Sequence, residues 1–262
     1  MTTPYRIDIL SLAPEIFFSL HELGVIGRAF SNGIAELHVH NPRDFATDRY
    51  HKVDDEPYGG GAGMVIKPEP VFAAFESIPV GERRRVLMMT PQGSSLSQSD
   101  LLRWSTNYDQ LILLCGHYEG FDERIRTLVD EEISVGDFVL SGGEIPAMVL
   151  INGVVRLLPG TVGKPESLLN ESHSEYLLEH PHYTRPANFR GLEVPSVLKS
   201  GNHGAIDQWR QVQRELRTQK RRPDLYLKWI KWKFSKNSRE DASKTISIDH
   251  CVTNEYDTYP DW

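Results

Sequence analysis

Three segments place glycine beside groups that can bind or react. The first reads Ser134-Val-Gly-Asp-Phe-Val-Leu-Ser-Gly-Gly-Glu-Ile-Pro146. Its short apolar run Phe138–Leu140 stops at Ser141-Gly142-Gly143, and a helix is predicted to begin with Glu144 and Pro146 in its first turn. Glycine lets backbone approach a ligand closely, and the first amides of a helix have no internal partners. In the second segment a buried-type strand, Leu111–Cys115, runs into Gly116-His117-Tyr118-Glu119-Gly120, a loop carrying an aromatic and a carboxylate. In the third, Val86–Thr90 ends at Pro91-Gln92-Gly93. Gly-Gly alone marks tight turns everywhere. Three such strand ends together predict one crevice at the carboxyl edge of a parallel sheet.

The elements that must hold these loops alternate. Arg6–Leu12 has strand periodicity, Pro14 opens a helix with Ile16, Phe17 and Leu20, and Ala35–His40 is a second strand. Residues 41–68 are rich in turn formers around Tyr58-Gly59-Gly60-Gly61-Ala62-Gly63, a connection long enough to be functional. Helices are predicted over Pro68–Ser77, Leu96–Trp104, Asp122–Val129 and Glu144–Leu157. Strand-helix alternation gives an α/β fold with a parallel sheet. After Pro159-Gly160 the composition changes, so residues 161–180 are expected to be a mobile linker. Two helices follow, one over Gly204–Lys220 with Ile206, Trp209, Val212 and Leu216 on one face, and one around Leu225, Trp229, Ile230 and Phe234. The expected organisation is a domain over 1–160, the linker, a helical domain over 181–236, and a loose tail over 237–262.

The 262 residues suffice for a full core, and 39% apolar with 25% charged residues is a soluble composition. No apolar run approaches the ~20 residues of a membrane span. Two cysteines, Cys115 and Cys251, make no disulfide framework, and the expectation is a cytoplasmic enzyme. The net charge of −7 hides an asymmetry: residues 199–239 carry +9 and the remainder −16. Lysines and arginines there interleave with Trp209, Tyr226, Trp229 and Trp232, a pattern that suits phosphates and stacked bases and equally a helical core with solvated charges. No His, Asp or Glu spacing forms a recognisable closed metal cage.

These segments, with Asp122-Glu123-Arg124, Pro181-His182-Tyr183-Thr184-Arg185-Pro186 and Ser200-Gly201-Asn202-His203, resemble in order and content the bacterial tRNA (guanine-37-N1)-methyltransferases. Those enzymes belong to the SPOUT class, and the resemblance covers roughly residues 5 to 235. It implies an α/β parallel sheet with a deep trefoil knot and a small C-terminal α-helical domain. It also implies S-adenosylmethionine held by Met88, Met89, Thr90, Pro91, Gly116, Tyr118, Gly120, Ser134, Val135, Gly136, Asp137, Phe138, Val139, Leu140, Gly142, Gly143 and Pro146. Magnesium is associated with the family's methyl transfer, though no ligand set is legible.

Methylating guanine N1 requires a base for its proton and a partner for the negative charge spreading onto O6. The resemblance assigns the second role to Arg156, in Val154-Val155-Arg156-Leu157-Leu158-Pro159-Gly160. The family's aspartate base falls on Glu171, a longer carboxylate, with Glu175, Glu166 and His173 as rivals. Glu119 could accept from the N1–H and N2 edge of guanine, or simply close its loop. Tyr58, Lys199, His203, Arg210, Arg214 and Arg217, with Arg221, are the candidate tRNA contacts. A homodimer with its active site across the interface is also implied. A methyltransferase acting on ribosomal RNA or a ribose hydroxyl, and a non-enzymatic RNA-binding module, remain alternative readings.

Overall fold

A computed structural model describes residues 3–163 and 171–241. The chain divides into two compact units, Met1–Leu168 and Leu169–Trp262. Glu166 and Cys251 lie outside the described residues.

The first unit opens with β1 (Tyr5–Leu10), a 3-10 helix over Pro14–Glu22, α1 (Gly24–Ser31) and β2 (Ala35–His40). A two-residue pair follows, β3 (Asp54–Asp55) with β4 (Val65–Ile66), then α2 (Pro68–Glu76), β5 (Arg84–Ser95) and α3 (Gln98–Asn107). β6 (Gln110–Cys115), a 3-10 helix over Glu123–Leu128, β7 (Glu131–Ser134) and α4 (Glu144–Val155) complete it. Five strands form one parallel sheet in the order β2-β1-β6-β5-β7. Side chains of β6 alternate between two cores. Leu111, Leu113 and Cys115 pack with Phe17, Trp104, Leu150 and Ile151, whereas Ile112 and Leu114 pack with Val71, Phe75 and Ile125. Helices therefore cover both faces, which is why β6 reads as an unbroken apolar run.

Charges inside this unit are paired. Asp8 is fully buried in β1, where His40, Arg6 and Gln110 each reach it at 2.8 Å. Burial alone would raise its pKa, but these hydrogen bonds outweigh that and hold it below the usual carboxylate range. Glu131 opens β7 and accepts from Arg103 at 2.7 Å and Arg85 at 2.6 Å.

The structure departs from the sequence expectation in several places. Phe138-Val139-Leu140 is not a strand; its side chains are 56%, 82% and 44% exposed in a loop. The edge strand is β7, whose Glu131 and Glu132 disguised it, since Glu131 is paired by Arg85 of β5 and Arg103 of α3, and Glu132 by Arg126 of the preceding 3-10 helix. β5 runs on through Pro91-Gln92-Gly93 to Ser95 instead of stopping at Thr90. Gly24–Ser31 forms a helix that its glycines concealed. Among the described residues, no helix is long and apolar enough to cross a membrane.

The second unit contains a short hairpin, β8 (Asn188–Phe189) with β9 (Leu192–Glu193), and two long helices, α5 (His203–Arg221) and α6 (Pro223–Asp241). α6 thus carries residues 237–241 that were expected in a loose tail; residues 242–262 lie outside the described residues. Asn202 caps α5, accepting from Ala205 N at 3.2 Å. Among the described residues, Leu177, Pro195, Ile206, Trp209, Arg214, Thr218, Leu225 and Trp229 are buried. Leu216, expected on the apolar face, is exposed, whereas Arg214 and Thr218, further round the helix, are buried.

Candidate active site

Three loops meet at the carboxyl ends of β5, β6 and β7. In β5, Met89 and Ser94 both pair with Ile133, so Thr90–Gly93 bow out of the sheet. Beyond β6, Gly120 N donates to His117 O at 2.9 Å, closing a tight loop in which Tyr118 takes a positive φ of 58°. The segment after β7 returns across this loop: His117 and Gly142 form an antiparallel bridge, and Gly143 N donates to Gly116 O at 2.9 Å. A Cβ on Gly143 would lie 2.8 Å from Cys115 Cα and 3.0 Å from Gly116 N, so only glycine lets α4 start against the end of β6.

The loops enclose a crevice of about 440 Å³. It is lined by Met88, Met89, Thr90, Pro91, Gly116, Tyr118, Gly120, Ser134, Val135, Gly136, Phe138, Val139, Leu140, Gly142, Gly143 and Pro146. Of the residues predicted for S-adenosylmethionine, only Asp137 does not line it; Asp137 is exposed in the same loop. His117, Glu119 and Ser141, from the loops singled out in the sequence, also line it, as do Gln92, Phe121, Glu123, Arg126 and Ile133, which were not anticipated. Arg126 joins two rims, donating to Gln92 Oε1 and Glu123 Oε2, each at 2.8 Å. No spacing rule connects residues from three loops in this way. The walls fit the implied cofactor: peptide groups around Ser134–Gly136 face apolar Phe138, Val139 and Leu140, a combination suited to an adenine ring.

Beneath the crevice, Glu144 is buried at the first turn of α4 and accepts from Ser11 Oγ at 2.6 Å. His117 Nδ1 lies 3.4 Å from Glu144 Oε1 without a hydrogen bond. Burial, and then the Glu144 charge, push the Cys115 thiol well above its ordinary range, which makes it an inert core residue.

The three candidate catalytic residues occupy distinct settings. Glu119 is exposed at the crevice wall, its amide donating to Met64 O at 3.0 Å. Its side chain lies directly on Gly63, where a methyl group would overlap it. The backbone bond to Met64 ties the end of the glycine-rich loop, whose Tyr58 is fully exposed, to this wall. Arg156 caps the far end of α4. The thirteen residue steps from Gly143 to Arg156 span roughly 20 Å at the helical rise, far more than one arginine side chain covers. Glu171 belongs to the second unit, as do its rivals His173 and Glu175.

In the second unit Lys199, His203 and Arg210 are exposed, and Arg210 pairs with Asp207 at 3.2 Å. Arg217 is partly covered; burial first, and then Arg221, draw its guanidinium below the ordinary value, a local excess of positive charge. Arg214 is misplaced by the sequence reading. It is 6% exposed and packs inside the unit, with Nε and one terminal nitrogen lacking a hydrogen bond, so it is no surface phosphate contact. The aromatics divide as well. Trp209 and Trp229 are buried, while Lys233 and Lys236 sit over the rings of Trp229 and Trp232 at 4.5 and 4.8 Å. Among the described residues, Glu179, His180 and His182 are the one group of potential metal ligands gathered within 4.8 Å.

The chain has close relatives. It is 73% identical over 226 residues to the tRNA (guanine-N(1)-)-methyltransferase of Synechococcus sp. (strain CC9311), covering 86% of this chain and 95% of that one. It is 62% identical over 224 residues to the enzyme of the same name from Synechocystis sp. (strain ATCC 27184 / PCC 6803 / Kazusa), covering 86% and 96%. Residues 5–228, which take in the parallel sheet, the crevice loops and most of the basic helices, match the family described as tRNA (Guanine-1)-methyltransferase TrmD, and the chain belongs to that family.

Proposed function

We propose that this protein transfers a methyl group from S-adenosylmethionine to N1 of the guanine at position 37, next to the anticodon of tRNA. The observation that carries the reading is the crevice: glycine-lined backbone beside exposed Phe138, Val139 and Leu140, in a chain of this family. S-adenosylmethionine supplies an electrophilic methyl group on a sulfonium sulfur. The protein's own tasks are to read guanine, remove the N1 proton and hold the charge that follows. Glu119 at the crevice wall accepts from the N1–H and N2 edge. Glu171 takes the N1 proton, and Arg156 donates to O6 as negative charge gathers there, a bidentate-capable cation suited to a developing oxyanion.

The helix length between Gly143 and Arg156 bears on how these groups meet. Because one copy separates its crevice from its own arginine by roughly 20 Å, the reading includes a homodimer in which a second copy completes the site. α4 is apolar nearly all round, and Ile145 and Val149 are half exposed on it, which is the character of a face another copy covers. Lys199, His203, Arg210 and Arg217, with Tyr58, would position the anticodon arm through salt-sensitive contacts.

The test is transfer of labelled methyl to unmodified tRNA with guanine at 37, beside the same tRNA with adenine there, under single-turnover conditions. Only the guanine substrate should react. Glu171→Gln should slow the reaction by about 10²- to 10⁴-fold with cofactor affinity unchanged, the usual contribution of a positioned base. Undiminished activity in that variant moves the base elsewhere. Equal activity on both tRNAs rejects the assignment of guanine 37.

A further inference from the structure

The reaction proposed above makes no use of Glu179, His180 and His182. They stand on a short extended segment of the second unit, with one ligand atom from each lying within 4.8 Å of the others. Their backbone is anchored at its N-terminal end. Leu177 is buried, Leu178 N donates to Thr218 Oγ1 at 2.9 Å, and Glu179 N donates to Ser172 Oγ at 3.1 Å. Pro181 separates the two histidines, fixing its own φ and disfavouring the helical region for His180. The two imidazoles are therefore set apart by a stiff residue, and their ring centroids are 4.5 Å apart.

The ring nitrogens are already sorted. His180 Nδ1 lies 3.2 Å from Pro181 O; donating a proton there leaves Nε2 with its lone pair available. A backbone carbonyl holding one ring nitrogen is the outer-shell arrangement that orients metal-binding histidines. His182 Nε2 lies 2.9 Å from Glu179 Oε1, so this imidazole and carboxylate already meet, and an ion would take the place of the proton they share.

We propose that Glu179, His180 and His182 form an open site for a divalent transition-metal ion of the zinc class, with water in the remaining position. Tetrahedral zinc with ligands at 2.0–2.2 Å requires donor atoms roughly 3.3 Å apart. The three donors, already within 4.8 Å of one another, stand close to that spacing. Two imidazoles and one carboxylate favour zinc, cobalt, nickel or copper over magnesium, which prefers an all-oxygen shell. A Glu-His-Pro-His run lacks the second ligand pair that marks closed structural zinc sites, so spacing alone does not reveal it. The site also touches the proposed chemistry: Ser172, which accepts from Glu179 N, adjoins Glu171. A bound ion would stiffen the segment that carries the candidate base, a link that rests on the reading of Glu171 given above; the metal site itself does not.

The experiment is calorimetric titration of the full-length, tag-free protein with zinc chloride against a competing chelator, repeated with cobalt to read the ligand-field spectrum. One ion per chain is expected. His180→Ala and His182→Ala should each weaken binding on the order of tenfold or more, since loss of an outer-shell partner already has that effect. His51→Ala, far from the cluster in sequence and on the first unit, should bind as the parent does. Circular dichroism confirms that the variants are folded. Absence of saturable binding at one ion per chain, or unchanged affinity in the folded His180→Ala/His182→Ala double variant, overturns the site. Zinc-induced slowing of amide exchange over Ser172–Glu179 supports the link to Glu171, and unchanged exchange there overturns that link.

Discussion

The two units prepare for binding in opposite ways. In the first, the crevice is made of main chain. Gly143 sits against the backbone of Cys115 and Gly116, and the loop edges are joined by hydrogen bonds such as Gly143 N to Gly116 O. In the second, the candidate contacts are side chains on helices and turns, with Lys199, His203 and Arg210 all exposed. A small cofactor has to be gripped from all sides at fixed distances, which backbone does well. A polyanion is attracted over a broad surface and located by a few contacts, for which mobile cations serve. The contrast predicts that substitutions in the first unit act through geometry and in the second through charge.

The sharpest way to break the contrast is Gly143→Ala. The added methyl meets backbone that cannot swing aside, so the loops must part. S-adenosylmethionine affinity by calorimetry should fall about 100-fold or more, with a loss of stability of about 1–3 kcal/mol. Near-normal binding would mean that the crevice is softer than its hydrogen bonds imply.

A second test concerns the charges that hold the sheet edge. Hydrogen bonding from Arg103, opposed by burial and then reinforced by Arg85 and Trp104, brings the Glu131 carboxyl down from 4.5 to about 2. A carboxylate lowered on folding stabilises the native state above its unfolded pKa and loses that contribution as pH falls through the folded value. Acid titration should therefore remove on the order of 2 kcal/mol between about pH 4.5 and pH 2, and Glu131→Gln should abolish that portion of the slope. Identical acid profiles for variant and parent would remove Glu131 from the account.

Much of the first unit was legible because its signals are local. Buried parallel strands read as apolar runs, and glycines at their ends mark the loops, so the crevice residues were named by type and place. What failed was set by distant partners. Glu131 and Glu132 read as polar loop until Arg103, Arg85 and Arg126 neutralise them, and Phe138–Leu140 read as a strand because nothing in the run shows that it lacks a neighbour to pair with. Arg214 was misread for a similar reason. A helical period of 3.6 residues puts Leu216 in a stripe with Trp209 and Arg214 roughly 140° away round the helix, and only tertiary packing buried the arginine.

That choice yields the next prediction. Arg214→Met keeps the bulk and removes two buried nitrogens that lack hydrogen bonds, so the melting of the protein should move upward, by about 1 kcal/mol in stability. The salt dependence of tRNA binding should not change. The smallest expected effect is the complement. Arg210→Ala should leave stability within about 0.5 kcal/mol, as for surface substitutions. It should lower the slope of log affinity against log salt by about 1. If Arg214→Met flattens that slope while Arg210→Ala does not, the division between buried and phosphate-facing arginines is reversed.

The bow in β5 has a consequence for how such a crevice can be resized. Because Met89 and Ser94 both register on Ile133, the sheet closes on either side of Thr90–Gly93 as though those residues were absent. Their number is therefore not dictated by the pairing. One wall of the crevice can be lengthened or trimmed like a hem, while the strands on either side keep their register.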